Sequence, residues 1–268
     1  MFKKKFKSFA KINLFLNVGK KFNKTGLHNI QSLVCLINLF DEIKIYKSKK
    51  DKIKFTGKFS DNVSLKKNTI IDTLSLLRKT GIIDLNTKYN ILVKKKIPVF
   101  SGLGGGSSNA AFLVKNLIQK KKLVNNKSLF SKNIGSDLKL FFGSNQIFQK
   151  SLNTIVNLKS KLNFYFVIVY PYLKSSTKEI YSKGKFFSRL KTNTIYESGS
   201  KKIIMHNLPQ EENHLEKIVI SKFPIIKKVL FELRLLKKCQ FSRVTGSGSA
   251  CFGVFLTKKS ANLGLKKI

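Results

Sequence analysis

The sequence predicts an α+β protein built as two closely packed units, and three observations carry that expectation. β-Branched and aromatic runs joined by short turns open the chain; a strand, a glycine loop and an amphipathic helix follow one another in the middle; a dense strand, helices and a final strand-turn-strand fill the second half. With 268 residues, 42% hydrophobic and 11% aromatic, the chain has the apolar material for one large domain or two modest ones. The composition changes only mildly near residue 158, which favours a first unit of residues 1–158 packed against a second of residues 159–268.

Residues 6–18 and 29–46 read as strands, joined through a Gly/Asn/Lys-rich connection at residues 19–26 into a long hairpin. The basic opening and apolar follow-up mimic a secretory leader, but Lys11 interrupts the apolar part and no small-x-small site follows, so the segment reads as a first strand. Residues 52–59 read as another strand. Asn68 is placed to cap a helix running to about Lys79, with Ile71, Leu74 and Leu77 at helical spacing and Gly81 beyond its end. After a strand at residues 89–96 comes IPVFSGLGGGSSNAAFLVKNLIQKKK. Its glycine loop, residues 102–106, runs into Ser107, Ser108 and a helix on which Ala110, Leu113, Val114, Leu117 and Ile118 share one side. Lys120, Lys121 and Lys122 are read near the C-terminus of that helix, where they suit its dipole. The second half reads as a strand at residues 163–171, a short helix from Ser176, a polar stretch to residue 213 and two helices parted at Pro224. QFSRVTGSGSACFGVFLT closes it as a strand, a Gly-Ser turn at residues 246–249 and a second strand.

Composition excludes several classes. No run of about 18 apolar residues exists to cross a bilayer, so a soluble protein without a membrane partner is expected. Cys35, Cys239 and Cys251 have no paired spacing and apolar neighbours, which points away from disulfides and zinc and toward a reducing cytoplasm. His28, His206 and His214 lie at no ligand spacing, so no histidine metal site is expected. The net charge of +40, from 53 Lys+Arg against 13 Asp+Glu, invites a nucleic-acid reading. Yet nearly all of it is Lys scattered along a chain rich in Ile, Asn and Phe, and no zinc-finger spacing, RNP-type motif or basic heptad region accompanies it. No nucleic-acid partner is therefore expected; the field attracts phosphorylated small molecules instead.

The chemistry sits in the glycine loop. Glycines and serines after a strand and before a helix form an anion site, because unpaired N–H groups at the helix start point at the ligand. Walker spacing is absent, Ser107 occupies the third-glycine position of a GxGxxG fingerprint, and neither HRD nor DFG occurs. Asp137 lies between Gly135 and an apolar run, where a carboxylate is unfavourable unless paired or functional, and Lys11 interrupts an apolar strand. Taken alone, Asp137 is also readable as a turn cap, and Lys11 reads better as one surface lysine among many.

Residues 98–111 resemble the P-x-x-x-G-L-G-G-G-S-S-N-A-A segment that binds ATP in the GHMP kinases. AKINLFLNV, residues 10–18, resembles the P-A-K-I-N-L-x-L opening of the diphosphocytidyl-methylerythritol kinases, and GLHNIQS, residues 26–32, their G-Y-H-x-L-Q-[ST]. IGSDLKLFF, residues 134–142, is similar to I-G-A-D-V-P-F-F, and VTGSGSACF, residues 244–252, to S-G-[ST]-G-[GS]-[AS]-C-F.

That resemblance implies a two-domain GHMP kinase fold: a ribosomal-protein-S5-domain-2-like N-terminal domain with the ATP loop and base, and a ferredoxin-like C-terminal domain. It implies transfer of the ATP γ-phosphoryl to the 2-hydroxyl of 4-diphosphocytidyl-2-C-methyl-D-erythritol, in the methylerythritol phosphate route to isoprenoids. Lys11 and Asp137 match the catalytic pair. Pro98, Val99, Phe100, Ser101, Gly102, Leu103, Gly104, Gly105, Gly106, Ser107 and Ser108 match the ATP-binding run. Asn13 matches a position near the substrate polyol, and His28 one that contacts the cytosine. Mg²⁺ is expected to arrive with ATP, held by Ser107 or Ser108, with no tightly bound cofactor. The loop at residues 246–248 backs the phosphates, lies beside the substrate or is a plain hairpin turn.

The chain departs from the family pattern at Leu27, where the family has tyrosine; Tyr181 or Phe186 could supply a ring from the other side. Lys139 replaces a proline, Phe100 and Ser101 replace two glycines, and His214 stands for aspartate in NHLE at residues 213–216. The rival readings are another GHMP kinase of mevalonate or homoserine type, against which GLHNIQS argues, and a basic nucleic-acid binder.

Overall fold

The computed structural model of the chain describes residues 3–23, 26–158, 161–186, 190 and 195–268. Residues 24 and 25 of the expected turn, residue 159 at the expected domain boundary and part of the polar stretch before residue 210 lie outside the described residues.

The long opening hairpin forms, but its first arm is broken. Strand β1 (Lys3–Asn13) stops, Leu14 N–H still donates to Leu33 O, Leu16 turns to bridge Asn213, and β2 (Asn17–Lys21) pairs antiparallel with β3 (His28–Ser48). Strand β4 (Lys52–Thr56) is shorter than residues 52–59 because Gly57 turns the chain, and the segment beyond it closes in a single 3₁₀ turn. Helix α1 (Thr69–Lys79) starts where expected: the Asn68 side chain accepts from the N–H groups of Ile70 and Ile71. Ile70, Leu74 and Leu77 are its buried apolar side chains, so the inward stripe is one residue off at its start. Strand β5 (Lys88–Lys94) leads to helix α2 (Gly105–Leu117).

Lys120, Lys121 and Lys122 do not close α2. Ile118 and Gln119 are extended, and the lysines open a second helix, α3 (Lys120–Asn133), placing them at its positive end. No Gly or Pro marks the break, so composition gave no warning. Then follow β6 (Gln146–Gln149), β7 (Ile155–Asn157), β8 (Tyr165–Val169) and α4 (Thr177–Ser182), which Ser176 caps through the Glu179 N–H. The polar stretch contains α5 (Ile195–Ser198) and α6 (Lys201–Asn207), both too short and too polar to announce themselves. Next are α7 (Glu216–Lys222), α8 (Ile225–Leu235) with Pro224 at its N-cap, β9 (Ser242–Val244), β10 (Cys251–Phe255) and α9 (Lys258–Leu265).

These elements form two compact units that interleave along the chain. The first gathers Met1–Lys11, Leu36–Val99 and Gly104–Asn145. In it β4 runs parallel to β5, and β5 antiparallel to the second half of β3, with Ile43 opposite Val93 and Ile45 opposite Ile91. Their inward side chains, Ile43, Ile45, Ile91 and Val93, are fully buried, as are Ala110, Leu113 and Val114 of α2. The second unit gathers Ile12–Cys35, Phe100–Leu103 and Gln146–Ile268. There the first half of β3 pairs with β6 and β6 with β7, while β8, β10 and β9 form an antiparallel sheet. Val167, Val244 and Phe255 of that sheet pack in one core with Leu215, Val219, Ile226, Leu230 and Leu233. Among the described residues no helix is long and apolar enough to cross a membrane.

Candidate active site

In the first unit the glycine loop becomes the start of α2. Gly104 is the N-cap, in the left-handed region at φ 72°, and offers no side chain to cap the first-turn N–H groups, which are thereby left for a ligand. A Cβ built on Gly104 would stand 3.0 Å from both Lys11 Cγ and Phe141 Cζ, so glycine lets the Lys11 stem lie directly against the cap. Thr69 Oγ1 donates to the Gly106 carbonyl at 2.8 Å, tying α1 to the same turn.

Lys11 is only 3% exposed, held in β1 between fully buried Ala10 and Ile12. Burial lowers the pKa of its ammonium, and the Asp137 carboxylate acts in the opposite sense by raising it. Asp137 is half-buried in the 3₁₀ segment Ser136–Phe141, which begins at Gly135. Lys139, where the family has proline, is lowered by burial and raised by the same carboxylate, so a second ammonium acts on Asp137. The two serines divide: Ser108 is fully buried and donates to the Phe9 carbonyl at 2.6 Å, while Ser107 Oγ would lie 3.9 Å from a Cβ on Gly135. Ser107 therefore faces the segment that carries Asp137, and Ser108 anchors α2 on β1. Pro98 is buried and Val99 half-buried at the approach to the loop.

The second unit holds the loop's opening, Phe100–Leu103, against the late Gly-Ser loop. Phe100 sits at φ 58°, a conformation for which the family glycine has no side-chain penalty and which strains a phenylalanine by about 1–2 kcal/mol. Ser101 O accepts from Ala250 N–H at 3.0 Å. Gly102, at φ 77°, approaches so closely that a Cβ there would be 2.1 Å from Thr245 O. Leu103 is buried. The residues 246–248 loop does connect the paired strands β9 and β10, and it is also clamped from several sides. Asn213 donates to Val244 O and Gly246 O, each at 2.8 Å, and Ser175 Oγ donates to Ser247 O at 2.6 Å. Glu216 accepts from Val244 N–H at 2.8 Å, so the NHLE residues hold this loop in shape. His214 Nδ1 accepts from Val18 N–H at 3.1 Å, a role for the histidine that stands in the aspartate position.

Asn13 reaches the same network: its N–H donates to Thr245 Oγ1 at 3.1 Å and its side chain to Ser32 Oγ at 2.8 Å. His28 is buried with Nδ1 at 2.8 Å from Gly19 O, which can only accept, so Nδ1 carries a proton, and in the tautomer this bond selects Nε2 is the acceptor. Nε2 is buried without a hydrogen-bond partner among the described residues. Tyr181 and Phe186 lie beside the imidazole, with ring centroids 5.6 and 5.0 Å away, whereas Leu27 is 45% exposed.

The fold thus brings Lys11, Asp137, Ser107 and the α2 start together in one unit, and Asn13, His28 and the loop opening together in the other. Sequence reasoning missed Thr245, Ser175 and the clamping role of Asn213, because hydrogen bonds to backbone atoms more than 30 residues away leave no local pattern. Residues 68–132 match the family model described as GHMP kinases N terminal domain. A protein of Pelagibacter ubique (strain HTCC1062) named 4-diphosphocytidyl-2-C-methyl-D-erythritol kinase is 39% identical over 261 residues, covering 96% of this chain and 90% of its own.

The chain belongs to the 4-diphosphocytidyl-2-C-methyl-D-erythritol kinase family.

As a member of this family it is an ATP-dependent phosphotransferase. The crystal structure of a 4-(cytidine 5'-diphospho)-2C-methyl-D-erythritol kinase matches 98% of the chain, and 94% of its own, at TM-score 0.73 and 23% identity. A homoserine kinase from Cytophaga hutchinsonii matches 99% of the chain, and 90% of its own, at TM-score 0.67 and 18% identity. At these identities the likeness is one of fold, and the two-domain α+β GHMP kinase fold expected from the sequence is the fold found.

Proposed function

We propose that this kinase transfers the γ-phosphoryl of ATP to the 2-hydroxyl of 4-diphosphocytidyl-2-C-methyl-D-erythritol, with Asp137 as base and Lys11 as the cation beside it. The observation that carries the residue roles is the convergence of Lys11 and Gly104 at the start of α2 with Asp137 acting on the same ammonium. The 2-hydroxyl gives its proton to the Asp137 carboxylate, its oxygen forms a bond to Pγ, and the bond from Pγ to the β–γ bridging oxygen breaks to leave ADP. The Lys11 ammonium holds carboxylate and hydroxyl in register and offsets charge that develops on the oxygens. N–H groups from the α2 start and residues 98–108 cradle the phosphates. Mg²⁺ comes with ATP as part of that substrate, and the Ser107 hydroxyl, a hard oxygen donor beside Gly135, suits it; the Ser108 hydroxyl is already committed to β1.

On the acceptor side, the unpartnered Nε2 of His28 suits the exocyclic amino group of a cytosine, which is a donor. The flanking Tyr181 and Phe186 rings supply the aromatic wall that Leu27 does not. Asn13 faces the polyol. In this reading the α2 start and the base belong to the first compact unit, the loop opening, Asn13 and His28 to the second, and the protein works in the cytoplasm.

The test is ADP release by purified protein with Mg-ATP and 4-diphosphocytidyl-2-C-methyl-D-erythritol, run beside mevalonate, homoserine and the Asp137→Asn variant. Turnover is expected with the first alcohol alone and falls about 10²–10⁴-fold in the variant. Turnover only with another alcohol overturns the acceptor assignment, and an unimpaired variant overturns the base.

A further inference from the structure

Asp41 and Lys95 form a buried ion pair for which the phosphoryl-transfer step itself gives no task. Asp41 is fully buried and Lys95 3% exposed, in a protein whose other lysines are mostly solvated. One Asp41 oxygen accepts from the Lys95 ammonium; the other accepts from the N–H of Lys96 at 2.7 Å and of Ile97 at 2.9 Å. The carboxylate therefore fixes the chain as it leaves β5 toward Pro98. Backbone contacts hold the same point from the far side: Lys95 N–H donates to Thr56 O, and a Cβ on Gly57 would be 2.6 Å from Lys95 O.

The direction of the Lys95 side chain supplies the second observation. A Cβ on Gly105, the first residue of α2, would lie 3.4 Å from Lys95 Nζ and 2.9 Å from Ile97 Cγ2. The ammonium is thus lodged against the first turn of the nucleotide helix. Helix stability does not explain this, because a cation at a helix N-terminus opposes the dipole. Core stability explains it poorly as well, since a buried ion pair seldom outperforms an apolar pair of the same volume. A fixed positive charge at that place does help to hold an anion. Burial lowers the pKa of the Lys95 ammonium, while the charge and hydrogen bond of Asp41 oppose that change and favour the charged form.

We propose that the Lys95–Asp41 pair tunes nucleotide affinity: Asp41 positions the strand that feeds the loop, and Lys95 places a fixed cation behind Gly105 for the phosphates of ATP. Both are positioning residues, with no direct contact to the reacting atoms. The proposal rests on the reading of the glycine loop as the ATP site.

Calorimetric titration of the full-length protein with Mg-ATP and Mg-ADP tests it, together with KM for each substrate and kcat. The double variant Lys95→Met/Asp41→Asn removes both charges at nearly constant volume. It is expected to bind Mg-ATP about 10-fold more weakly, with kcat and the acceptor KM within about 2-fold of the native values. Lys95→Arg, which keeps the charge and the bond to Asp41, is expected to restore most of that affinity. If the double variant does not fold, Lys95→Gln, which keeps the hydrogen bond without the charge, is read in its place. Native affinity in the charge-free variant, whatever its melting temperature, overturns the proposal, and so does an equal loss in Lys95→Arg. Native protein that binds no Mg-ATP overturns the ATP-loop reading itself and this inference with it.

Discussion

Lys11 shares β1 with two fully buried neighbours, where burial lowers the pKa of its ammonium and the Asp137 carboxylate opposes that change. Because burial lowers its folded-state pKa below 10.5, the unfolded chain holds this proton more tightly. The stability penalty of the buried ammonium is fully present at low pH and is relieved as pH rises from the folded pKa toward 10.5. Activity moves the other way: with a charged Lys11 required, kcat falls on the alkaline side at a pH below 10.5. In Lys11→Arg that limb moves upward, since guanidinium stays charged; a limb unmoved by the substitution rules Lys11 out as its source. Lys11, Asp137 and the glycines stand out because each breaks the pattern around it, while the roles proposed for Lys11 and Asp137 come from the family resemblance. Lys95 was hidden in a run of three lysines at residues 94–96. One signal was available: Tyr89, Ile91 and Val93 are the inward positions of β5, and the same two-residue alternation carried one step further arrives at Lys95. Asp41 obeys it too, falling in step with Ile43 and Ile45 on β3.

At the level of elements, α1 is the case in which local chemistry suffices. Asn68 accepts from two N–H groups at 3.1 Å, so Asn68→Ala should destabilise the protein by about 1 kcal/mol, read as a shift in denaturant midpoint at constant slope. No shift would mean that the helix start is held by Thr69 on Gly106 instead. The strand–loop–helix order around residues 88–117 was equally legible, since glycines and apolar period mark it. Helix α3 was not, because its buried residues are only Leu123 and Phe130 and nothing terminates α2 except an extended pair. The tie between Gly102 and Thr245 was out of reach for another reason: each lies in a glycine-rich turn that reads well alone, and only the 2.1 Å that would separate a Cβ on Gly102 from Thr245 O reveals that one requires the other.

Across the whole molecule, 53 basic against 13 acidic side chains leave +40 on a folded chain, and mutual repulsion of these lysines works against the compact state. Raising NaCl from about 20 to about 300 mM shortens the screening length and is expected to raise Tm by about 5 °C; a Tm that stays level or falls would show that ion pairs, not repulsion, dominate. The same charge suggested nucleic acid to a reading of composition, and family membership gives phosphate-bearing small molecules a better claim to it. The interleaving of the two units was not visible in the sequence, because composition changes only once and mildly, near residue 158. Its consequence is felt during synthesis. The Asn13 N–H and the Thr245 hydroxyl that it meets are 232 residues apart, so at the usual pace of a ribosome the first waits roughly 10–50 s for the second to be made. Throughout that interval the apolar residues 12–18 have emerged without the C-terminal segment that completes their unit. Until β10 has been made, the strand that pairs with both β8 and β9 is missing, and the sheet of the second unit cannot close.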